Sequence, residues 1–270
     1  MIAVRRAAVA GTFYPAGRSE LGALVDHLLD EAAITEAWSE AVVNGPPVAL
    51  IVPHAGYTYS GPVAASAYAQ LRPWKQAISR VVVVGPAHRS PVRGLALSSA
   101  RAFDTPLGRI PTDWVANEVL ARDPGVHVDD RAHSLEHSIE VHLPFLQRVL
   151  GDRWSLVPVI AGGAEAAEVA DALEAVWGAD GTLVVVSTDL SHYHDPTTAR
   201  RMDAEAAATI IAARWDELDG EHACGVVPVR GALELARRHH NSVTLLDLRN
   251  SADTAGPAAS VVGYGSFLVR

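Results

Sequence analysis

Short apolar runs rich in β-branched residues alternate along this chain with longer segments of mixed polarity. Three of the runs cover residues 48–52, 81–87 and 183–188, and glycine, proline or polar residues bound each of them. Runs without polar alternation are typical of strands that are buried on both faces, as in a parallel sheet. The pattern predicts an α/β fold: a single layered domain with a central, mostly parallel sheet flanked by helices.

The segments between these runs predict the helices. Ser19 is placed to cap a first helix with an apolar face. In the helix predicted over 196–213, Ile210 and Ile211 are expected to face inward. Pro144 is expected to end or kink a turn that follows 136–142. Further helices are predicted over 35–42, 61–71, 113–121, 164–177 and 227–238, and further strands over 155–160, 242–248 and 260–268.

Composition limits the class of protein. The 270 residues are 49% hydrophobic, which is enough for a large core, and residues 1–270 are expected to form one domain. The formal net charge is −9, and the basic residues form only isolated pairs. Nucleic acids and anionic membranes are therefore not expected partners.

The single cysteine, Cys224, cannot form an internal disulfide bond, which fits a reducing compartment. Apolar stretches are too short to span a bilayer, and the N-terminal segment is too short for a signal peptide. We therefore expect a cytoplasmic protein without a membrane partner. The oligomeric state does not follow from the sequence.

Polar residues follow each of the three apolar runs. His54 comes after the first run, His88 after the second, and Asp189 after the third, with His192 three residues further on. Because ligands bind at the carboxyl ends of the strands in open α/β sheets, these residues are expected to meet at one edge. A single buried histidine is often bonded only to backbone, but two at equivalent positions favour a functional site, with Cys224 as a further candidate.

Two other motifs have alternative interpretations. A Ser–His–Asp triad from Ser191, His192 and Asp189 is disfavoured, because no Gly-x-Ser-x-Gly elbow is present and Ser191 and His192 are neighbours. The sequence 133–137 matches His-x-x-Glu-His, the inverted zincin pattern of zinc peptidases. No third zinc ligand follows from the sequence, and a polar helix start with local hydrogen bonds is the alternative. No phosphate-binding glycine loop is present.

Seven ordered motifs together resemble the Memo family, whose proteins are also called AmmeMemoRadiSam system protein B. The resemblance extends over nearly the whole chain. The motifs are AGTFYP at 10–15, PHAGYTYSG at 53–61, GPAH at 85–88, TPLG at 105–108, EHSIEVHLPF at 136–145, STDLSHY at 187–193 and Cys224-Gly225.

The resemblance implies a fold similar to that of the class III extradiol dioxygenases. In those enzymes two histidines and a carboxylate hold Fe(II), and a further histidine transfers protons. Carried onto this chain, His54 and His88 match the histidine ligands, and Cys224 stands where the carboxylate is expected. His192 matches the acid–base histidine, with Asp189 beside it as a second catalytic candidate and an alternative anionic ligand.

The resemblance also suggests which residues surround the ligands. Glu136 and His137 are expected on a helix beside the pocket, and Tyr57, Tyr59 and Tyr193 are expected to line it. Many relatives are expected to carry a basic residue after the Cys-Gly pair, whereas Val226 follows it here. An anion-binding role at that position is therefore not expected.

Fe(II) is the expected cofactor, with zinc or copper as alternatives, because a thiolate is a softer ligand than a carboxylate. A thiolate is also oxidisable, so the resemblance alone does not establish ring cleavage. The leading hypothesis is a metal-dependent, dioxygenase-like oxidoreductase with a small-molecule substrate. The alternatives are a scaffold protein with a vestigial site, working with radical SAM and AMMECR1-like partners, and a zinc-dependent hydrolase.

Overall fold

Two sheets form the framework of this computed structural model, which describes residues 3–33, 45–257 and 259–270. The predicted helix at 35–42 lies outside the described residues. In chain order the strands are β1 (Val4–Arg5), β2 (Ala49–Val52), β3 (Arg80–Pro86), β4 (Leu95–Leu97), β5 (Ala102–Thr105), β6 (Gly108–Pro111), β7 (Val126–Val128), β8 (Ser155–Ala161), β9 (Thr182–Ser187), β10 (His192–His194), β11 (Val243–Asn250) and β12 (Val261–Val269).

The larger sheet has nine strands in the order β10-β12-β2-β9-β3-β8-β4-β7, with β11 also paired to β12. Its centre, β2-β9-β3-β8, is parallel. Strand β12 pairs antiparallel with β2, and β4 pairs antiparallel with β8, so the complete sheet is mixed. Strands β1, β5 and β6 form a separate sheet of three. The apolar runs thus predicted the parallel centre, whereas the flanking strands reverse direction.

Helices cover both faces of the larger sheet. Alternate residues of β3 point to opposite faces, because side chains along a strand alternate. In chain order the described helices are α1 (Arg18–Ala33), α2 (Tyr57–Tyr68), α3 (Trp114–Leu120), α4 (Asp130–Ser134), α5 (Leu143–Leu150), α6 (Ala166–Glu174), α7 (Pro196–Ile211), α8 (Val226–Arg238) and α9 (Ser251–Thr254). Val81 and Val83 pack in one apolar cluster with α1, α2 and α5, and Val82 and Val84 pack in another with α3, α6, α7 and α8.

Three local predictions are wrong. Ser19 does not precede the first helix as its cap, because α1 already begins at Arg18. Pro144 lies in the first turn of helix α5 instead of ending a turn, because proline fits there, where its missing N–H needs no partner. Ile211 is 43% exposed, while Ile210 is fully buried, since α7 ends at Ile211 and turns this side chain away from the sheet. Within the described ranges, no helix is long and apolar enough to cross a membrane.

Candidate metal centre

His54, His88 and Asp189 lie at the same edge of the larger sheet. Each follows the last residue of its strand by two positions: β2 for His54, β3 for His88 and β9 for Asp189. Because these strands are adjacent and parallel, their carboxyl ends bring the three residues together. The imidazole rings of His54 and His88 are 5.1 Å apart between centroids. The predicted meeting of these two histidines is confirmed.

Cys224 reaches this edge from the loop that precedes α8. Its backbone N–H donates to the carbonyl oxygen of Asp189 at 3.2 Å. Gly225 follows, and a Cβ atom there would lie 2.3 Å from the carbonyl oxygen of Ser187, so only glycine permits this close passage over the end of β9. The Cys224 Sγ atom lies 3.3 Å from His54 Nε2. The predicted approach of Cys224 to His54 is therefore confirmed, whereas Cys224 and His88 belong to different groups of converging ligand atoms among the described residues.

Two groups of ligand atoms share His54. In one, atoms of His54, Asp189 and Cys224 all lie within 4.8 Å of one another. In the other, atoms of His54, His88 and His137 do so. The sequence placed His137 beside the ligands, and the structure adds that its ring stacks on His88 at 4.5 Å and lies 5.4 Å from His54. His137 is thus a third imidazole within reach of the same centre.

Burial controls the charge of these groups. It lowers the pKa of His54 well below its usual value, and the nearby charges of His88 and His137 lower it further. Burial raises the pKa of Asp189 to about 6, although the His54 backbone N–H donates to its carboxylate at 2.8 Å. Burial, and then the Asp189 charge, raise the pKa of the Cys224 thiol to about 12.

His54 therefore belongs both to a group of three imidazoles and to a group with a thiol and a carboxylate. Two anions side by side in a buried site repel each other unless a cation lies between them. A divalent ion would favour the ionised forms of both Cys224 and Asp189, because coordination deprotonates a thiol. The donor set, with imidazole nitrogen, thiolate sulfur and carboxylate oxygen, suits a transition metal ion. The residues present fit such an ion.

Glu136 binds both the side chain and the backbone of His88. Its carboxylate lies 2.9 Å from His88 Nδ1 and accepts the backbone N–H of His88 at 2.6 Å. Burial opposes its ionisation, but the His88 side chain and the backbone N–H groups of Ser138 and His88 lower its pKa to about 2. A carboxylate only accepts, so His88 donates from Nδ1, and Nε2 is the ring nitrogen left for a metal ion. Metal-binding histidines commonly donate their second nitrogen to a carboxylate in this way.

His192 lies at the mouth of the site, on the short edge strand β10. Its Nδ1 atom lies 2.8 Å from the carbonyl oxygen of Leu190, so Nδ1–H donates and Nε2 is left to accept a proton. The Leu190 carbonyl, and not Asp189, orients the His192 ring. Asp189 instead accepts the His54 backbone N–H.

The three tyrosines differ in their surroundings. Tyr57 lies in the core, and its hydroxyl donates to the Val141 carbonyl oxygen at 2.7 Å, so it does not present a polar group to a substrate. Tyr59 is 41% exposed and Tyr193 is 79% exposed. Tyr193 follows His192 directly and has a φ of 62°, an unusual backbone conformation for a residue other than glycine.

The His-x-x-Glu-His segment does not form a zincin helix. Helix α4 ends at Ser134, so His133 and His137 do not share a helix face, and Glu136 and His137 are not on a helix as expected. His133 is buried, and its Nε2–H donates to the Ala96 carbonyl oxygen at 2.9 Å. Its role is therefore to support the loop.

We expect His133→Ala to retain metal binding, whereas His54→Ala loses it. His133 belongs to neither group of converging ligand atoms among the described residues, so its removal affects packing and one hydrogen bond only. The measurement is the amount of metal bound per chain after anaerobic loading, with the thermal midpoint as a control for folding. Equal loss of metal in both variants would restore the zincin interpretation.

Comparison with known proteins matches the chain along almost its whole length. A family model described as Memo-like protein matches residues 5–268. The chain is 31% identical over 275 residues to a MEMO1 family protein of Thermoplasma volcanium, with 98% of each chain covered. It is 33% identical over 271 residues to one of Aquifex aeolicus, and 36% identical over 281 residues to one of Ignicoccus hospitalis, with 97% of each chain covered in both cases. The chain therefore belongs to the Memo family, with an α/β fold similar to that of the class III extradiol dioxygenases.

Proposed function

We propose that this protein is a metal-dependent, dioxygenase-like oxidoreductase that acts on a small, oxygen-bearing substrate with Fe(II) as its cofactor. The observation that carries the proposal is the position of His54 at the carboxyl edge of the sheet, where it is grouped with His88 on one hand and with Cys224 and Asp189 on the other. Two imidazoles and one anion leave positions open on iron for substrate and O₂.

Cys224 is the anionic ligand that the distances favour. Its Sγ atom lies 3.3 Å from His54 Nε2, whereas the Asp189 Oδ2 atom lies 4.0 Å from it. One oxygen of Asp189 is also occupied by the His54 backbone N–H. His54, His88 and Cys224 would then hold the ion, and Asp189 would add negative charge beside it.

Fe(II) in this site would supply Lewis acidity and redox chemistry. The chain itself supplies the proton transfer. The Leu190 carbonyl holds His192 through Nδ1, so Nε2 is the atom that would accept a proton from a substrate hydroxyl and later return it. Glu136 keeps the His88 ring in place during these steps.

The test is metal titration of protein purified without oxygen, followed by oxygen-uptake measurements with a panel of catechols and related hydroxylated compounds. We expect one Fe(II) per chain and oxygen uptake with at least one compound, abolished in His192→Ala with metal still bound. Tight iron binding without uptake by any compound would favour a non-catalytic role. Absence of iron binding would overturn the proposal.

A zinc-dependent hydrolase is the second candidate. The specific observation in its favour is the group of three histidines, His54, His88 and His137, because three imidazoles and a water molecule are a known arrangement of catalytic zinc. Exchange of His137 for glutamine would separate the two candidates. It should reduce zinc binding if three histidines hold the ion, and leave Fe(II) binding unchanged if His54, His88 and Cys224 do.

A scaffold role is the third candidate, favoured by the exposed Tyr193, whose ring lies beside that of His192. Exposed aromatic side chains are common anchors in protein interfaces. Radical SAM and AMMECR1-like proteins are the partners to test. Their binding should weaken in Tyr193→Ala if the site is an interface.

A further inference from the structure

Ser187, the last residue of β9, connects His54 to a chain of buried hydrogen bonds. Its hydroxyl oxygen lies 2.6 Å from His54 Nδ1 and 2.8 Å from His142 Nε2. It also lies 2.7 Å from the carbonyl oxygen of Ser138. As whole residues, Ser187, His54 and His142 are at most 1% exposed, so solvent does not compete for these contacts.

The three contacts fix the direction of each hydrogen bond. A hydroxyl has one hydrogen to donate and two lone pairs that accept. The Ser138 carbonyl oxygen only accepts, so the Ser187 hydrogen points to it. Both imidazoles must then donate to Ser187, which places hydrogen on His54 Nδ1 and on His142 Nε2. His54 Nε2 is left with its lone pair.

Tyr68 completes the arrangement. Its hydroxyl lies 2.8 Å from His142 Nδ1, the nitrogen that carries no hydrogen, and therefore donates to it. Burial lowers the pKa of His142 to about 3 and raises the pKa of Tyr68 well above its usual value, so both stay neutral near pH 7. Tyr68 is fully buried, so the chain ends there without reaching solvent. Its function is orientation and not proton conduction.

The contacts of His54 Nε2 are consistent with hydrogen on Nδ1. Cys224 Sγ lies 3.3 Å from His54 Nε2, and the Asp189 backbone N–H donates to the same sulfur. A neutral thiol can donate its hydrogen to an unprotonated Nε2. The thiol hydrogen then occupies the place that a metal ion would take.

We propose that Ser187 is a positioning residue that fixes the neutral tautomer of His54, with hydrogen on Nδ1 and the Nε2 lone pair aimed at the metal centre, and that His142 and Tyr68 hold Ser187 in this role. The role of this hydrogen-bond chain in metal binding rests on the proposed metal-dependent function. The tautomer itself is a property of the metal-free protein and can be measured without metal.

The first test is long-range ¹H–¹⁵N spectroscopy of the metal-free wild-type protein labelled at histidine. The His54 signals are assigned by their loss in His54→Gln. We expect the nitrogen shift of an unprotonated atom at Nε2 and of a protonated atom at Nδ1. The reverse pattern in the wild type would overturn the proposal.

The second test is Ser187→Ala, with Ser266→Ala as its matched control. Both serines are fully buried in the larger sheet, but the Ser266 hydroxyl has no hydrogen-bond partner among the described residues. In Ser187→Ala, His54 Nδ1–H loses its acceptor, so we expect the hydrogen to shift toward Nε2. We also expect Zn²⁺ affinity to fall about 10–100-fold, the usual loss when a group behind a metal ligand is removed.

The control should leave both the His54 signals and the Zn²⁺ affinity unchanged. Unchanged signals and affinity in Ser187→Ala would overturn the role of Ser187. If the tautomer is as proposed but no protein binds Zn²⁺ or Fe(II), the proposed function fails and the tautomer assignment stands. If metal binds but His54 carries its hydrogen on Nε2, the tautomer proposal fails and the proposed function stands.

Discussion

Replacement of Cys224 by alanine is expected to weaken Fe(II) binding by more than the roughly 10–100-fold that follows loss of a group behind a ligand. The reason is that the variant loses a direct anionic ligand. The fold should persist, because the cysteine side chain is small. Cys224→Asp should restore part of the affinity, since it recreates a set of two histidines and one carboxylate, although its shorter reach limits the recovery.

Proton release on metal binding gives a second measurement of the role of Cys224. Burial holds the pKa of the Cys224 thiol at about 12, so the thiol is protonated at pH 8 and must lose its hydrogen when it binds metal. Wild-type protein should therefore release one more proton per bound ion than Cys224→Ser, the control of similar volume. The protons are counted by calorimetry in two buffers of different ionisation enthalpy.

The thermal midpoint gives an independent control on the affinities, because an ion that binds only the folded state raises it. The metal-free variants should unfold close to the wild type. Equal Fe(II) affinity in wild type and Cys224→Ala would show that Cys224 is not a ligand, and Asp189 would then be the anionic ligand.

Replacement of Arg5 by methionine is expected to destabilise the fold by about 3–5 kcal/mol, because it leaves a buried carboxylate without its charged partner. Glu140 is fully buried, and Arg5 donates to it directly. Glu140 also accepts the Tyr14 hydroxyl and the backbone N–H groups of Ala8 and Val9, at 2.8 and 3.0 Å. These contacts fasten the N-terminal segment to the loop behind the metal centre.

The side chain of Arg5 also binds the backbone of that loop. Arg5 donates to the carbonyl oxygens of His133 at 3.1 Å and Glu136 at 2.6 Å. Arg5→Met should therefore also weaken metal binding, because Glu136 positions His88. Loss of stability with unchanged metal affinity would show that the loop keeps its geometry without Arg5.

Urea unfolding of the metal-free wild type and variants measures the change in the free energy of unfolding. Arg72→Met is the control, because Arg72 pairs with the exposed Asp30, and such surface pairs contribute about 0–1 kcal/mol. The double variant Arg5→Met with Glu140→Gln should recover part of the loss, since no buried charge is then left unpaired. Equal losses of stability in Arg5→Met and Arg72→Met would show that the buried pair contributes no more to the free energy of unfolding than the exposed pair.

The sequence by itself determined the parallel centre of the larger sheet and the site residues that follow its strands. The uninterrupted apolar runs of β2, β3 and β9 predict buried parallel strands, because only a strand covered on both faces avoids polar alternation. Parallel strands end at one edge, so His54, His88 and Asp189 had to approach one another. Cys224 was placed beside them by the resemblance of the motifs, since its spacing from the strands carries no such information.

Only the tertiary structure decided the partners of these residues. His133 and His137 are four positions apart, which suggested a shared helix, but α4 ends between them, and only His137 reaches the centre. Ser187 and His142 are 45 residues apart, and Arg5 and Glu140 are 135 apart. Hydrophobic periodicity predicts which face of a helix or strand is buried, because that face is defined by the spacing of apolar residues within one short segment. Which polar groups meet inside the fold depends on packing between distant elements, and this packing sets the tautomer of His54 and the pairing of Glu140.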